Sequence, residues 1–590
     1  MRGTPRDLTV LAILTAFLFG VALGARDLWN PNEPIYGEAV REMAERGNWL
    51  VPYVNGVVFG EKPILYYWMA LTSAKALGGI SELSLRVPVA AAGIAIVLGV
   101  YLLVLPSAGR RRAIVGAVVT ATLYGVWWNA RFVQMDILVT ATTLWVILAV
   151  TRVVDHGASR WGGWAAAGAF AGVGFLAKGP VAWICPGLVL VAYLLGTRRW
   201  RELLRVEVLG GAAVALLVAA PWYLALAAAG RTDVLHEVLI RQNFSRFSNP
   251  WDHAQPFWYY LESFWIDLAP WAFFVPLAWK LPRRSEPERR LSILAAVWIG
   301  AIVLFFSLSR SKRSPYILPI APAAAILAAE VAVAYAEDRL SRARRLGFLG
   351  IAWTLAVLLV LLGAGIGLYA TLHHPQFASA AKPLSAAALA GGITLAATLV
   401  MRRLRKGIAV PAALAVAFAL FYAVASVSTL PALDQAKSAR PFCEEVGKLL
   451  KPGDDLASFE FWAWRAEYAY YLGRPLRKIS GEAALREAWD NPKRLLLVVE
   501  EDRIESARRV IGDADPAYVR RVGGHASYLF INPAGSETAT EPGTAPGTAP
   551  GAPPDPASPP APESHPPSEE PPAPAPDAAG AGAPSEGARR

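Results

Sequence analysis

The stretch LWNPNEPIYGEAVREMAERGNWLVPYVNGVVFGEKPILYYW, residues 28–68, follows one apolar segment and leads into several others. Its opening, WNPNEP, has the proline and asparagine content of a turn, and YGEAVREMAERGNW has helical spacing that closes at Gly47. We therefore predict a short helix along the membrane surface after the turn, and its alternative interpretation is an amphipathic connector that rests on lipid headgroups. Two clusters with acidic residues, Asn32-Glu33 and Glu61-Lys62, lie unusually close to apolar sequence and need an explanation.

The composition of the whole chain places it in a membrane. Of its 590 residues, 55% are hydrophobic and only 17% are charged, values far from those of a soluble globular domain. Apolar runs near the length of about 20 residues that spans a bilayer recur as far as Leu430. The two cysteines, Cys185 and Cys443, lie in different contexts and indicate neither a disulfide framework nor a thiolate metal site.

These apolar runs predict a mostly α, polytopic helical membrane protein with roughly thirteen transmembrane helices. The predicted spans are 8–25, 83–105, 113–130, 136–153, 162–177, 180–196, 208–229, 262–281, 291–308, 315–336, 347–370, 381–400 and 408–430.

Basic residues recur between alternate spans, as at 110–112, 198–205 and 402–406. The positive-inside rule makes that side cytoplasmic, together with the N-terminus. The net charge of +11 therefore reflects topology, and we expect no nucleic-acid partner, because the basic residues follow neither a helical face nor an aromatic platform. The outward side is predicted to receive residues 26–82, the turn at 178–179, residues 230–260, residues 309–314 and the chain after 430.

The character of the sequence changes twice near its C-terminal end. Residues 1–430 form the predicted membrane domain, and from 431 to 533 helical and strand periodicities alternate, which predicts a small outward-facing α/β domain. Residues 534–590 are rich in proline and alanine and too poor in core-forming residues to offset ordering entropy, so we predict a disordered tail.

Several ionisable residues interrupt apolar sequence near the predicted outer interface. Asp136 begins a hydrophobic run, Lys178 interrupts GFLAKGPVAW, and Arg310, Lys312 and Arg313 break FFSLSRSKRSPYILP. Ionisable groups at membrane depth are costly and usually paired or functional, although each one alone is also explained by snorkelling or interface anchoring. Their shared depth and side favour one site for a ligand with an anionic head and an apolar tail, such as a lipid phosphate.

The sequence resembles a known family in the first loop and in five later motifs. These are LWNPNEP and EKP in the first loop, MD at 135–136, AKG at 177–179, RF at 246–247, HAQPFWYY at 253–260 and KRSPYILP at 312–319. In this order they resemble the lipid A aminoarabinose transferases and their relatives in the protein O-mannosyltransferase superfamily, which are polytopic GT-C glycosyltransferases.

The resemblance implies inverting transfer of a sugar from a polyprenyl-phosphate donor to a lipid A-like lipid, a protein or a glycan. The reaction would take place at the periplasmic face of a bacterial inner membrane, among membrane lipids. Carried over residue by residue, the resemblance implies that Lys62 binds the donor phosphate with support from Glu61, and that Asp136 is an acidic residue near the reaction centre. It implies further phosphate contacts from Lys178, Arg246 and Lys312. Tyr316 would lie beside the tail or sugar, and His253 would belong to a metal or polar site.

The chain departs from the family pattern at Asn32, where relatives commonly have an aspartate that activates the acceptor, and at Ile35, which replaces a basic residue. An amide cannot accept a proton at neutral pH. Glu33 or Asp136 could serve as the base instead, or the acceptor could be a phosphate whose oxygen is already anionic. A catalytically inactive or repurposed relative is the remaining alternative.

The chemistry expected at such a site is electrostatic. Lysines and arginines, or a bound divalent ion, would neutralise the phosphate leaving group. The sequence has no P-loop and no glycine-rich strand-to-helix turn for a nucleotide, which agrees with a lipid-linked donor. The rival interpretations are a transporter or flippase for a lipid-linked sugar, which predicts ionisable residues near the bilayer midplane, and a membrane anchor for the C-terminal domain.

Overall fold

The computed structural model describes residues 5–245, 255–401, 403, 407–462 and 465–533. The predicted disordered tail, 534–590, lies outside these residues. The helices that precede the C-terminal region are Pro5–Gly20, Asn32–Glu45, Leu65–Leu77, Glu82–Ala121, Tyr124–Asn129, Asp136–His156, Arg160–Lys178, Val181–Gly196, Val206–Ala228, Thr232–His236, Tyr259–Asp267, Glu286–Leu308, Ala321–Ala336, Arg342–His373, Ala378–Val400 and Ala409–Val424. Short 3₁₀ or π segments are Trp200–Leu204, Glu237–Ser245, Trp271–Ala278, Ser314–Ile320, Pro375–Phe377 and Ala425–Thr429.

The chain is a multi-pass membrane protein. Within the described residues, eight helical segments are long and apolar enough to cross a bilayer, and Val181–Gly196 is a shorter apolar helix. The predicted number of thirteen spans is not confirmed. The predicted spans 83–105 and 113–130 correspond to the helical run Glu82–Ala121, which is interrupted at Gly109, where φ is +80°, and to the separate short helix Tyr124–Asn129. The predicted span 262–281 consists of a short α-helix and a 3₁₀ helix.

The succession of helices brings chain segments that are distant in sequence to the same end of the bundle. One helix begins at Asp136, and the next returns to end at Lys178. Later, the helix Glu286–Leu308 ends just before the loop 309–313, and the following helix leads away again. Asp136, Lys178 and this loop therefore lie near one another, because helices of about 20 residues reverse the side of the membrane at each crossing.

The first loop forms a packed layer over this end of the bundle. The predicted short helix is present as Asn32–Glu45, but residues 33–43 are all buried, so it is a core element and not a connector lying on headgroups. It is followed by a two-stranded hairpin, β1 Tyr53–Val54 and β2 Val57–Val58. The turn residues Asn55 and Gly56 both have positive φ, the conformation that favours Asn-Gly in tight hairpins.

The C-terminal region contains a five-stranded mixed sheet. Its strands are β3 Asp455–Phe459, β4 Arg477–Ile479, β5 Leu495–Glu500, β6 Tyr518–Val522 and β7 His525–Ile531. They lie in the order β4-β3-β5-β7-β6, with β3 parallel to β4 and β5, and β7 antiparallel to β5 and β6. The central strand has the continuous apolar sequence LLLVV and is buried on both faces, which predicts its central position. The helices of this region are Leu430–Ala432, Asp434–Lys437, Arg440–Leu449, Glu467–Leu472, Glu482–Trp489 and Ile504–Ile511.

The C-terminal region holds the start of the first loop through several hydrogen bonds, three of which are made by consecutive residues. The backbone N–H of Leu28 donates to the Tyr471 hydroxyl at 2.7 Å. The Trp29 indole N–H donates to Asp434 at 2.6 Å. The Asn30 amide donates to Glu467 Oε1, also at 2.6 Å. These bonds fix the backbone that leads directly into Asn32.

The Glu467 contact makes this interface sensitive to pH. Burial raises the pKa of the Glu467 carboxyl to about 7, although Arg465 and the hydrogen bond from Asn30 oppose the shift. Between its unfolded value near 4.5 and about 7, the folded protein therefore binds more protons than the unfolded chain. The free energy of unfolding then falls as pH rises through this window, by roughly 3 kcal/mol for this group.

We expect Glu467→Gln to flatten part of that pH dependence, because the glutamine still accepts from Asn30 but does not titrate. Thermal unfolding midpoints of the purified protein between pH 5 and 8 measure the effect. A residual slope is expected, since burial also raises the pKa of Glu38 to about 7 and that of Asp434 to about 6. Glu487→Gln, on an exposed surface of the same region, is the control. Parallel profiles for both variants and the wild type would contradict the prediction.

Candidate functional site

A cavity of about 510 Å³ lies where the first loop meets the helix ends described above. Its polar wall combines three cations with two carboxylates, drawn from four separate parts of the chain. These residues are Glu61, Lys62, Asp136, Lys178 and Arg313. A charged cluster assembled from such distant segments is costly at the edge of a membrane unless a ligand uses it.

Lys178 is held in a fixed position within the cavity. Its Nζ donates to Asp136 Oδ1 at 2.6 Å, and the two side chains are 19% and 15% exposed. The same Nζ lies 4.6 Å from the centre of the Tyr316 ring, within the range of a cation–π interaction. Asp136, Lys178 and Tyr316 therefore form one unit that points a positive charge at the cavity.

Glu61 and Lys62 form the second charged unit. The Lys62 Nζ lies 3.8 Å from Glu61 Oε2, and the side chains are 16% and 28% exposed for Lys62 and Glu61. The Lys62 ammonium also donates to the Glu61 carbonyl at 3.2 Å. Pro63 follows directly and lines the cavity too, and its ring limits the backbone of Lys62 to extended conformations. Both charged side chains line the cavity wall.

Asn32 lines the cavity at the start of the helix Asn32–Glu45. One turn later the Tyr36 ring lines it as well, which follows from the i, i+4 spacing of a helix. Burial raises the pKa of Tyr36, with a further contribution from Glu61, so its hydroxyl stays protonated and can donate a hydrogen bond.

Glu33, predicted as a possible catalytic base, does not line this cavity. Its carboxylate is fully buried and accepts from Arg26 at 2.7 and 3.0 Å and from Arg86 at 3.0 and 3.1 Å. The backbone N–H groups of Trp29 and Val133 donate to it at 3.2 Å each. Burial alone would raise the pKa of Glu33, but the two arginines outweigh it and hold the pKa at about 2. Glu33 is therefore a structural residue, and the interpretation as a base is corrected.

Lys312, predicted as a phosphate contact, also points elsewhere. It is 4% exposed, and its Nζ donates to the carbonyls of Gln255, at 3.0 Å, and of Ser309. Burial lowers the pKa of Lys312. The neighbouring Arg313 faces the cavity in its place. In an extended loop successive side chains point in opposite directions, and the sequence KR does not show which of the two faces inward.

The predicted phosphate contact Arg246 and the predicted metal or polar residue His253 both lie outside the described residues. Within the described residues, no group of three or more histidine, cysteine or acidic side chains lies close enough to hold a metal ion. Sequence reasoning missed Gln134 and Gln242, which also line the cavity. Gln134 precedes the Met135-Asp136 pair that we had singled out, so proximity to Asp136 was the available signal.

The remaining wall of the cavity is apolar. Its lining residues include Val139, Val181, Ile184, Phe305 and Phe306. A cavity with clustered cations at one end and branched or aromatic side chains along its wall fits a ligand that joins an anionic head to a hydrocarbon chain.

Comparison with known proteins agrees with this geometry. A family model described as dolichyl-phosphate-mannose-protein mannosyltransferase matches residues 61–224. The undecaprenyl phosphate-alpha-4-amino-4-deoxy-L-arabinose arabinosyl transferase of Aeromonas salmonicida is 33% identical over 405 residues, 65% of this chain and 72% of the relative. That of Pectobacterium carotovorum is 32% identical over 370 residues, 61% of this chain and 65% of the relative. The chain thus matches just under two thirds of the length of the Pectobacterium relative.

Solved structures show the same fold. The crystal structure of ArnT from Cupriavidus metallidurans bound to undecaprenyl phosphate has a TM-score of 0.74 with 23% sequence identity, covering 88% of this chain and 97% of that one. The same protein in the apo state has a TM-score of 0.72, with the same identity and coverage.

Proposed function

We propose that this chain, which belongs to the family of undecaprenyl phosphate-aminoarabinose arabinosyl transferases, moves a sugar from a polyprenyl-phosphate donor to an acceptor at the membrane face where the cavity lies. One observation carries the proposal. The cations Lys62, Lys178 and Arg313 meet at one cavity whose other wall is apolar. The cations can bind the phosphate of the donor, and the apolar wall can bind its isoprenoid chain.

In the proposed reaction, an acceptor oxygen attacks the anomeric carbon of the donor sugar with inversion. The bond between this carbon and the phosphate oxygen breaks, and the bonding electrons stay on the phosphate. Lys62, Lys178 and Arg313 neutralise the charge that develops there, which lowers the barrier most where water is excluded. Asp136 acts through Lys178, since their 2.6 Å contact holds the ammonium in place.

The acceptor is proposed to be a lipid phosphate, as in a lipid A-like molecule. With an amide at Asn32 and Glu33 sealed between arginines, neither residue of the first cluster can take a proton from a hydroxyl. A phosphate acceptor needs no such step, because its oxygen is already anionic. For a protein or glycan hydroxyl, Glu61 is the cavity carboxylate that is not tied to Lys178 and would accept the proton.

The orientation follows from the distribution of basic residues. The loops at the opposite ends of the site helices carry the arginine-rich segments, so we propose that they face the cytoplasm and that the cavity and the C-terminal region face the periplasm of an inner membrane. A lipid-linked donor suits that side, where nucleotide sugars are absent.

The test is a transfer assay with purified protein, a panel of polyprenyl-phosphate sugars, and lipid A, peptide and glycan acceptors. We expect turnover with at least one donor and preference for a phosphate-bearing acceptor. Complete absence of transfer over the whole panel, with donor still bound, would instead indicate a catalytically inactive relative. Movement of the intact donor across vesicle membranes without transfer would indicate a flippase.

Asp136→Asn should lower turnover about tenfold to a hundredfold, because Lys178 loses the partner that fixes its position and a displacement near 1 Å has costs of that size. Initial rates at saturating donor give the comparison. Asp233→Asn removes another carboxylate from an arginine contact, the 2.6 Å pair with Arg231, at a residue that does not line the cavity, and should leave the rate unchanged. Equal rates for Asp136→Asn and wild type would refute the positioning role.

A further inference from the structure

A second cavity, of about 450 Å³, lies apart from the candidate site and is lined almost entirely by polar residues. Four of them are basic and one is acidic. Its polar lining residues are Lys280, Arg283, Arg284, Ser285, Glu286 and Arg289. The proposed transfer reaction has no use for this group, because none of these residues lines the first cavity.

The position of this cavity along the membrane normal follows from one helix. The helix Glu286–Leu308 begins at the second cavity and ends beside the loop 309–313, which contributes Arg313 to the first. Its 23 residues span about 34 Å at 1.5 Å per residue. This length matches the hydrocarbon core of a bilayer, so the two cavities lie at opposite membrane surfaces.

The loop that lines the second cavity is built and held by specific contacts. Lys280 has a φ of +51°, in the left-handed region that residues other than glycine rarely adopt. The Arg344 guanidinium stabilises this turn by donating to the carbonyls of Trp279 at 2.9 Å and Lys280 at 3.3 Å. Arg283 donates to the Ala278 carbonyl at 2.9 Å. The turn therefore presents the Lys280 side chain, which is exposed, at a fixed place on the cavity rim.

The arginines of the second cavity retain donors for a ligand. Arg283 and Arg284 each contact one carboxylate, on Glu330 and Glu337, at 2.9 Å. Arg289 donates to both carboxylate oxygens of Glu286, at 2.7 and 2.9 Å. A guanidinium has five N–H donors, so one carboxylate contact leaves others available. Arg284 is 58% exposed, and within the described residues Lys280 has no ion-pair partner.

Next to the basic residues lies a side chain typical of the membrane interface. Trp279 is 72% exposed and adjoins Lys280 in sequence. Tryptophan concentrates at the level of lipid headgroups, where its indole N–H reaches water and its ring reaches the acyl chains. The cations of the second cavity are therefore at the depth of phospholipid phosphates, in the leaflet opposite the candidate site.

We propose that the second cavity binds the phosphate headgroup of an anionic phospholipid. Basic cavities between helices at this depth suit such headgroups, because each lysine or arginine near the surface attracts anionic lipid. Lys280, Arg284 and Arg289 surround the phosphate, and Trp279 packs against the upper acyl chain. The site is independent of the transfer reaction and holds a structural or regulatory lipid.

Native mass spectrometry of the full-length protein with added phosphatidylglycerol tests the proposal. The wild type should retain a bound phosphatidylglycerol at concentrations where phosphatidylethanolamine is lost. The double variant Lys280→Ala, Arg289→Ala should bind it about tenfold or more weakly, since each basic residue contributes near the surface. Neither residue belongs to the Glu330 contact that ties helices together in the bundle. The charge-retaining Lys280→Arg, Arg289→Lys should bind as the wild type does.

The matched control removes two charges from another loop at the same membrane surface. Arg198 and Arg201 lie in the segment after the helix Val181–Gly196, are exposed, and line neither cavity. Arg198→Ala, Arg201→Ala should leave the affinity unchanged. The proposal would be overturned by any of three results. The first is an equal loss of affinity in both double variants, and the second is unchanged binding by Lys280→Ala, Arg289→Ala. The third is equal retention of phosphatidylglycerol and phosphatidylethanolamine by the wild type. If millimolar inorganic phosphate displaced phosphatidylglycerol from the wild-type protein, the cavity would be a site for a free anion. That result would also overturn the proposal.

Discussion

Lys62→Ala should reduce sugar transfer by about a hundredfold to a thousandfold, the loss typical when one group that stabilises a developing anion is removed. The Lys62 side chain is 16% exposed and lies at the wall of the first cavity beside Glu61. Its ammonium would meet the phosphate as the bond to the sugar breaks, when the charge on the leaving oxygen is greatest. The loss should therefore appear mainly in kcat, with a smaller change in KM for the donor.

Radiolabelled donor and initial-rate kinetics provide the measurement. Lys382→Ala is the control, because Lys382 is an exposed lysine on another helix and does not line the cavity. Lys62→Arg should recover part of the rate, since it restores the charge with different geometry. If Lys62→Ala turned over donor at the wild-type rate, the phosphate of the donor would have to bind elsewhere, and the proposed site would be untenable.

The sequence was sufficient to predict that Lys62, Asp136 and Lys178 lie close together, and all three line the first cavity. Asp136 and Lys178 interrupt apolar runs at the ends of predicted helices, and counting crossings placed those ends at the same membrane surface. Placing several charged groups near a bilayer is unfavourable in free energy, so a ligand that contacts all of them was the simplest explanation. The family resemblance added the donor type and singled out Tyr316, whose ring centre lies 4.6 Å from the Lys178 Nζ.

The roles of Glu33 and Lys312 depended on packing that the sequence does not encode locally. Glu33 stands next to Asn32 and resembles a catalytic acid, but its partner Arg86 is 53 residues away and enters from another helix. Lys312 and Arg313 are adjacent cations, and only the fold determines that the first donates to the carbonyls and the second faces the cavity. The local sequence pattern identifies an unusual charged residue, but only the tertiary structure shows which group that residue contacts.

The predicted number of thirteen spans stays a prediction for a related reason. Hydropathy distinguishes apolar from polar sequence but does not show where an apolar helix stops short of crossing. The segment 262–281 is mostly apolar, yet Pro270 and Pro276 interrupt regular hydrogen bonding, and the result is two short helices.

Glu33→Gln should destabilise the protein by about 3–5 kcal/mol, the cost of removing one member of a buried ion pair and leaving the other charge uncompensated. Arg26 is 5% exposed and Arg86 is 1% exposed, so neither guanidinium can recover its hydration when the carboxylate is replaced. The Glu33 carboxylate accepts six hydrogen bonds in the wild type. The glutamine amide places two N–H donors of its own among these six donors, which adds repulsion between them.

Thermal unfolding of the purified protein, followed by tryptophan fluorescence, measures this loss as a lower midpoint. Glu45→Gln is the matched control: it lies on the same helix and also contacts an arginine, Arg41, but is 57% exposed and should change stability by less than about 1 kcal/mol. The decisive comparison is between stability and turnover. A structural Glu33 predicts that transfer per folded molecule, measured well below the midpoint, survives the substitution in large part. If the Glu33→Gln variant unfolded like the wild type but transferred no sugar, Glu33 would be a catalytic residue. The argument for a phosphate acceptor would then fail, because Glu33, next to Asn32, could take the proton from a hydroxyl acceptor.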